Sequence, residues 1–208
     1  MLKIATWNVN SLKVRLPHVL QWMEKEGPDV LALQETKSID ENFPSDSIKE
    51  KGYHVKFIGQ KTYNGVATIS KSPIEVIATQ LPSFNDEQKR VLAIKTRGTI
   101  ILNIYVPNGS EINSEKYKYK MKWFSKLHPF ITKLQKEDNQ LITLGDFNIA
   151  PEDRDVHDPA EWEGNILVSE PERNEFKKLL SHGLVDCFCC RSLEKVFFVC
   201  LCFVNFFV

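Results

Sequence analysis

Four short apolar runs in the 208-residue chain each end in side chains able to hold a metal ion or a phosphate. "LKIATWNVN" ends at Asn8 and Asn10, and "DVLALQETK" at Glu35, with Lys37 just after. "ILNIYVPNG" runs through Tyr105 to Asn108, and "LITLGDFNIAP" ends at Asp146 and Asn148. A carboxylate directly after a run such as Leu-Ile-Thr-Leu-Gly lies beside the core, where an unpaired charge is costly. It requires a cation, an arginine or dense hydrogen bonding. Glu35 and Asp146, with amide oxygens from Asn8 and Asn148, make a hard all-oxygen set. Mg²⁺ or Mn²⁺ takes such ligands and shares its remaining positions with water and substrate phosphate. A tyrosine hydroxyl and asparagine amide nitrogens are neutral donors suited to phosphate oxygens that gain charge in a transition state. The set points to metal-assisted hydrolysis of a phosphate ester. Each residue alone has a plainer reading. Asp146 is a turn former or helix cap, Glu35 a surface or ion-paired carboxylate, and Tyr105 a core-edge ring with a wet hydroxyl. The coincidence of four strand ends is what favours chemistry.

Positioning these ends takes a sheet-rich domain. "LKIAT", "VLAL", "VKFIG", "GVATIS", "IEVIATQL", "VLAIKT", "TIILNIYV" and "QLITLG" are rich in Ile, Val and Thr and read as strands. Ser72-Pro73 and Arg97-Gly98 each separate two neighbouring runs, which predicts two hairpins. Leu16, Val19, Leu20 and Met23 recur at helical spacing, with Pro17 placed in a first turn. Tyr117, Met121, Phe124, Leu127 and Leu134 do the same, and "ERNEFKKLLSHG" predicts a helix stopped by Gly183. The lysines at 116, 118, 120, 122 and 126 then fall on the wet face of a packed helix, with a flank for a DNA track as the rival reading. The fold class is α+β in one domain. A net charge of zero gives no overall electrostatic footprint for nucleic acid, so attraction must come from local patches or a metal.

The motifs "TWNVNSLKVR", "PDVLALQETK", "YVPNG" and "LGDFNIAP" resemble, in order and spacing, those of exodeoxyribonuclease III and its apurinic/apyrimidinic endonuclease relatives. The resemblance extends through "KRVL", "DRDVHDP", "SEPERNEF" and "GLVDCF", and so covers residues 1–188 as one domain. It implies a four-layer α/β/β/α sandwich of mixed, largely antiparallel sheets with the site at one edge. It also implies a Mg²⁺-dependent nuclease, with Mn²⁺ as a substitute, acting on double-stranded DNA at abasic sites and 3′ ends. By the same resemblance Asn8 and Glu35 hold the metal, and Asp146 orients or deprotonates the attacking water beside it. Asn148 binds the phosphate and Tyr105 donates to it. Asn10 occupies a position where relatives often carry a carboxylate, and Lys37 and Arg90 contact backbone phosphates.

Relatives continue into a tryptophan-containing motif, a further aspartate and a terminal Asp-His pair. Here none of the five histidines directly follows an aspartate, and no tryptophan follows Trp162. All five cysteines lie in the last 22 residues, with the apolar run "VFFVCLCFV". That run is too short to span a membrane, which needs about 20 residues. The C-x-C-C and C-x-C spacings are not zinc knuckles. The expectation is therefore a chain truncated at residue 188, lacking its C-terminal strands, with 189–208 a frameshifted tail or else a replacement strand. A non-catalytic remnant is the alternative function. The N-terminus has no signal-peptide core, so the expected location is cytoplasmic. The chain is also expected to be a monomer without membrane attachment.

Overall fold

The computed structural model describes residues 2–137 and 140–187, together with the strand Phe197–Leu201. All eight predicted runs form strands: β1 (Ile4–Asn8), β2 (Val30–Gln34), β3 (His54–Ile58), β4 (Val66–Ser70), β5 (Glu75–Ala78), β6 (Val91–Thr96), β7 (Thr99–Tyr105) and β8 (Leu141–Asp146). β9 (Val185–Asp186) and β10 (Phe197–Leu201) follow. The helices are α1 (Leu12–Glu26), α2 (Ser45–Lys49), α3 (Glu115–Glu137), α4 (Pro159–Trp162) and α5 (Glu170–Ser181).

The strands form two mixed sheets, ordered β1-β2-β4-β3 and β5-β6-β7-β8-β10-β9. Three apolar clusters separate four layers. Leu31, Leu33 and Ile69 face α1 through Leu12, Val19 and Met23. Val30, Ala32 and Val66 meet Leu92, Ile94, Ile101 and Leu144 between the sheets. Ile100, Leu102 and Ile104 face Phe124, Leu127, Phe176 and Leu179 of α3 and α5. The period-two alternation along β2 and β7 generates both apolar faces of each sheet. This is the expected α/β/β/α sandwich. Among the described residues, four strand ladders are antiparallel and four parallel, so the sheets are mixed in equal parts.

One hairpin prediction holds and the other does not. Arg97 and Gly98 both have positive φ and join β6 to β7 in a two-residue turn. β4 and β5 do not pair. Both edges of β4 are already taken by β2 and β3, so Ser72-Pro73 carries the chain across to the second sheet. Pro17 also lies inside α1, not in its first turn. Backbone bonds from Ser11 N to the Glu35 carbonyl (2.7 Å) and from Leu12 N to the Thr36 carbonyl (3.0 Å) start the helix earlier. Of the expected tail, Phe197–Leu201 inserts between β8 and β9, parallel to both. Residues 188–196 and 202–208 lie outside the described residues. Among the described residues, no helix is long and apolar enough to cross a membrane.

A buried carboxamide fastens the sheets together. Asn103 of β7 donates to the carbonyls of Leu33 (3.2 Å) and Ala67 (2.9 Å) and accepts from Gln34 Nε2 (2.8 Å). N103L, which leaves these groups unpaired, should cost about 1–3 kcal/mol of unfolding free energy in urea. A second polar lock joins α3 to α5. His128 Nε2 lies 2.7 Å from Glu175 Oε2, and His128 Nδ1 lies 3.2 Å from His182 Nε2. Burial pushes the His128 pKa below its ordinary value, Glu175 opposes that shift, and His182 and Lys178 add to it. The unfolded chain therefore takes up the proton first as pH falls, and this stability is present above the unfolded pKa and lost below it. The urea midpoint should fall between about pH 7.5 and about pH 5.5, and H128Q should flatten that slope.

Candidate active site

Strand direction assembles the site. β1 and β2 run parallel with Asn8 opposite Gln34, and β7 and β8 run parallel with Tyr105 opposite Asp146. Their carboxyl ends meet at one edge of the sandwich. Asn8 Nδ2 donates at 2.8 Å to Glu35 Oε1 on its own sheet and at 2.8 Å to Asp146 Oδ2 on the other. The Asn8 oxygen accepts from Asn10 N at 3.0 Å. One carboxamide therefore brings together the two carboxylates that the sequence singled out.

The close approach of β8 to β7 just before Asp146 depends on glycine. Gly145 has φ +133°, and a Cβ there would stand 1.9 Å from the Ile104 carbonyl oxygen of the neighbouring strand. Asp146 is 4% exposed. Burial raises its pKa and the Glu35 charge adds to this, while bonds from Asn8 and Asn148 and the charge of Lys120 oppose it. Asn148 N donates to Asp146 Oδ1 (3.0 Å) and Asn148 Nδ2 to the Val106 carbonyl (2.8 Å). Asn108 Nδ2 reaches Asn148 Oδ1 at 3.4 Å, which joins the loops after β7 and β8.

Glu35 is less enclosed. Burial works against its ionisation, but hydrogen bonds from Asn8, Lys37 and Tyr105 outweigh that and hold its pKa below the usual carboxylate value. Lys37 Nζ pairs with Glu35 Oε2 at 2.9 Å and also donates to Asn10 Oδ1. Asn10, Glu35, Lys37 and Asn148 all adopt positive φ without being glycine. Such strained backbone is kept where the surrounding structure holds side chains in a set geometry.

The Tyr105 hydroxyl interacts with the Glu35 carboxylate. Burial first, and then the Glu35 charge, raise its pKa well above the ordinary phenol value, so it stays a neutral donor. Arg90 stands behind it. The guanidinium carbon lies 4.5 Å from the Tyr105 ring centroid, Nη1 donates to the Tyr105 carbonyl (3.1 Å) and Nε to Gln88 (2.7 Å). The structure thus collects Asn8, Asn10, Glu35, Lys37, Tyr105, Asp146 and Asn148 at one edge, with Arg90 packed beneath Tyr105.

Among the described residues, no three His, Cys, Asp or Glu side chains cluster as a metal site. A magnesium-type site needs only one or two protein carboxylates, with waters and phosphate completing it. Glu35 and Asp146 repel one another across a part-buried gap, and both offer hard oxygens. These residues fit a divalent cation of that type.

Sequence reasoning missed Lys120, which is wholly buried and paired with the equally buried Glu172. A signal was present. Lys120 falls on the 117, 124, 127, 131, 134 stripe that packs α3 against its sheet, so helical spacing alone places it inward. Lys116, Lys118 and Lys122 are exposed as expected.

A profile of the Endonuclease/Exonuclease/phosphatase family matches residues 5–189. The chain belongs to this family. It is 34% identical over 200 residues to exodeoxyribonuclease III of Haemophilus influenzae, a match covering 90% of this chain and 74% of that enzyme. Among solved structures it is similar to the Neisseria 3′ phosphatase NExo bound to a product DNA hairpin, with 42% identity and a TM-score of 0.86. That match covers 88% of this chain and 71% of NExo. An AP endonuclease from Archaeoglobus fulgidus is similar over 87% of this chain and 70% of its own, with 39% identity and a TM-score of 0.83. The chain is thus a phosphodiesterase of the exodeoxyribonuclease III and abasic-endonuclease branch by family.

The stacking of Arg90 on Tyr105 has a direct test. R90M removes two hydrogen bonds and a cation–π contact from a buried position. It should lower unfolding stability in urea by about 1–3 kcal/mol.

Proposed function

We propose that this chain hydrolyses phosphodiester bonds of double-stranded DNA at abasic sites and 3′ ends, as a cytoplasmic monomer dependent on Mg²⁺, with Mn²⁺ as a substitute. The observation that carries this reading is the bridge from Asn8 to Glu35 and Asp146, beside the Tyr105 hydroxyl. The DNA hairpin bound by the Neisseria relative and the nuclease names of the other relatives support DNA as substrate.

Glu35 and Asp146 would hold the metal, beside the Asn8 carboxamide whose nitrogen bridges them. The metal, when bound, neutralises phosphate charge and aids departure of the leaving oxygen. Asp146 orients the attacking water and accepts its proton at the carboxylate, which Asn8 and the Asn148 N–H fix from two sides. Tyr105 donates a hydrogen bond from its hydroxyl to an oxygen of the scissile phosphate, and the Asn148 amide binds the same group as negative charge builds. Lys37 and Asn10 flank the approach and contact the DNA backbone. Arg90 acts from behind Tyr105, keeping its ring and carbonyl in place.

The decisive assay incubates intact chain with an abasic-site duplex and Mg²⁺. Cleavage should be abolished by EDTA and reduced by about 10²–10⁴-fold in E35A and in D146N. N148A should lose about 10²–10³-fold in kcat. Cleavage by the parent no greater than by E35A, or salt-dependent duplex binding without turnover, would overturn the proposal.

A further inference from the structure

Lys120 has no exposed side-chain surface, although it sits in the most lysine-rich stretch of the chain. Its Nζ meets three acceptors: Glu172 Oε1, the Asn148 carbonyl at 2.6 Å and the Asn108 carbonyl at 3.2 Å. An ammonium group has three donors, so all are used. The two carbonyls belong to different loops, one after β7 and one after β8, and each loop carries an asparagine amide of the candidate site. Glu172 is held in turn. Its Oε2 accepts from Ser169 N (3.2 Å) and Ser169 Oγ (2.5 Å), and Ser169 Oγ shares a bond with the Tyr117 hydroxyl at 2.7 Å.

A buried ion pair is weak evidence for stability, because apolar replacements of similar volume are often equally stable. What an apolar side chain cannot do is hold two carbonyl oxygens in fixed directions. The stem of Lys120 also packs on the first loop, where a Cβ on Gly109 would stand 3.3 Å from Lys120 Cδ. With both carbonyls fixed, the peptides of Asn108 and Asn148 keep the spacing at which their side chains touch.

We propose that Lys120 is a positioning residue for the candidate active site. Its ammonium holds the loops after β7 and β8 at the separation that presents the Asn108 and Asn148 amides to one phosphate group. The consequence for turnover rests on the phosphodiesterase reading, whereas the positioning is a property of the folded chain. The test is the double variant K120M/E172Q, which removes both charges and leaves neither unpaired. K120R, which keeps the charge and changes only donor geometry, is the milder variant with the same readouts.

The unfolding midpoint of K120M/E172Q should stay within a few degrees of the parent. Backbone hydrogen exchange should quicken about 10-fold over residues 106–110 and 147–150 while Val30–Gln34 and Val66–Ser70 keep parental rates. On the abasic duplex kcat should fall by about 10–100-fold with KM changed much less. K120R should show the same pattern at smaller size. Parental exchange rates in the two loops would overturn the positioning role whatever the activity, and so would parental kcat in a cleaving enzyme. A parent that does not cleave refutes the functional reading, and the exchange result then decides the positioning alone.

Discussion

A carboxylate embedded at the end of a core strand is the constraint around which this molecule is built. Asp146 closes β8, whose preceding residues are almost all buried, and is itself 4% exposed. A charge in such a place is tolerated only with dense hydrogen bonding or a nearby cation. The chain meets this demand from three directions. Asn8 reaches across from the other sheet, the Asn148 N–H folds back from the following loop, and Lys120 contributes positive charge from below. Gly145 is needed because any side chain there would strike β7.

Because Asn8 belongs to one sheet and Asp146 to the other, the site exists only while the sheets hold their mutual position. Apolar packing between them is non-directional and tolerates small slips. Asn103 supplies direction, since its carboxamide is tied to Gln34 and to the carbonyls of Leu33 and Ala67 on the opposite sheet. Gln34 immediately precedes Glu35, and Asn103 lies two residues before Tyr105. The polar lock thus sits one step beneath the two residues whose contact it preserves.

The helices on the far side add a second kind of support. α3 and α5 bury the Lys120–Glu172 pair, and that pair ends on the two loops carrying Asn108 and Asn148. Ser169 and Glu172 cap the start of α5, so one carboxylate serves both the helix end and the ion pair. Arg90 does comparable service on the other flank by holding the Tyr105 ring and carbonyl together.

Local pattern alone determined the eight strands, three helices and four polar strand ends, because period-two and helical spacing record burial within each element. Chemistry confined to neighbours in sequence was equally legible, including the Arg97-Gly98 turn and the Gly183 helix stop. Partners far apart in sequence were not. Nothing near Ser72-Pro73 reveals that both edges of β4 are already occupied. Nothing near Pro17 reveals that Glu35 and Thr36 set the start of α1. Lys120 was misjudged because a lysine reads as solvated unless its acceptors are known, and those acceptors lie 12, 28 and 52 residues away. The sequence by itself determined which residues could do chemistry. Only the tertiary structure decided which atoms face which, because hydrogen bonds and ion pairs depend on distances of a few ångströms that strand order and helix packing create.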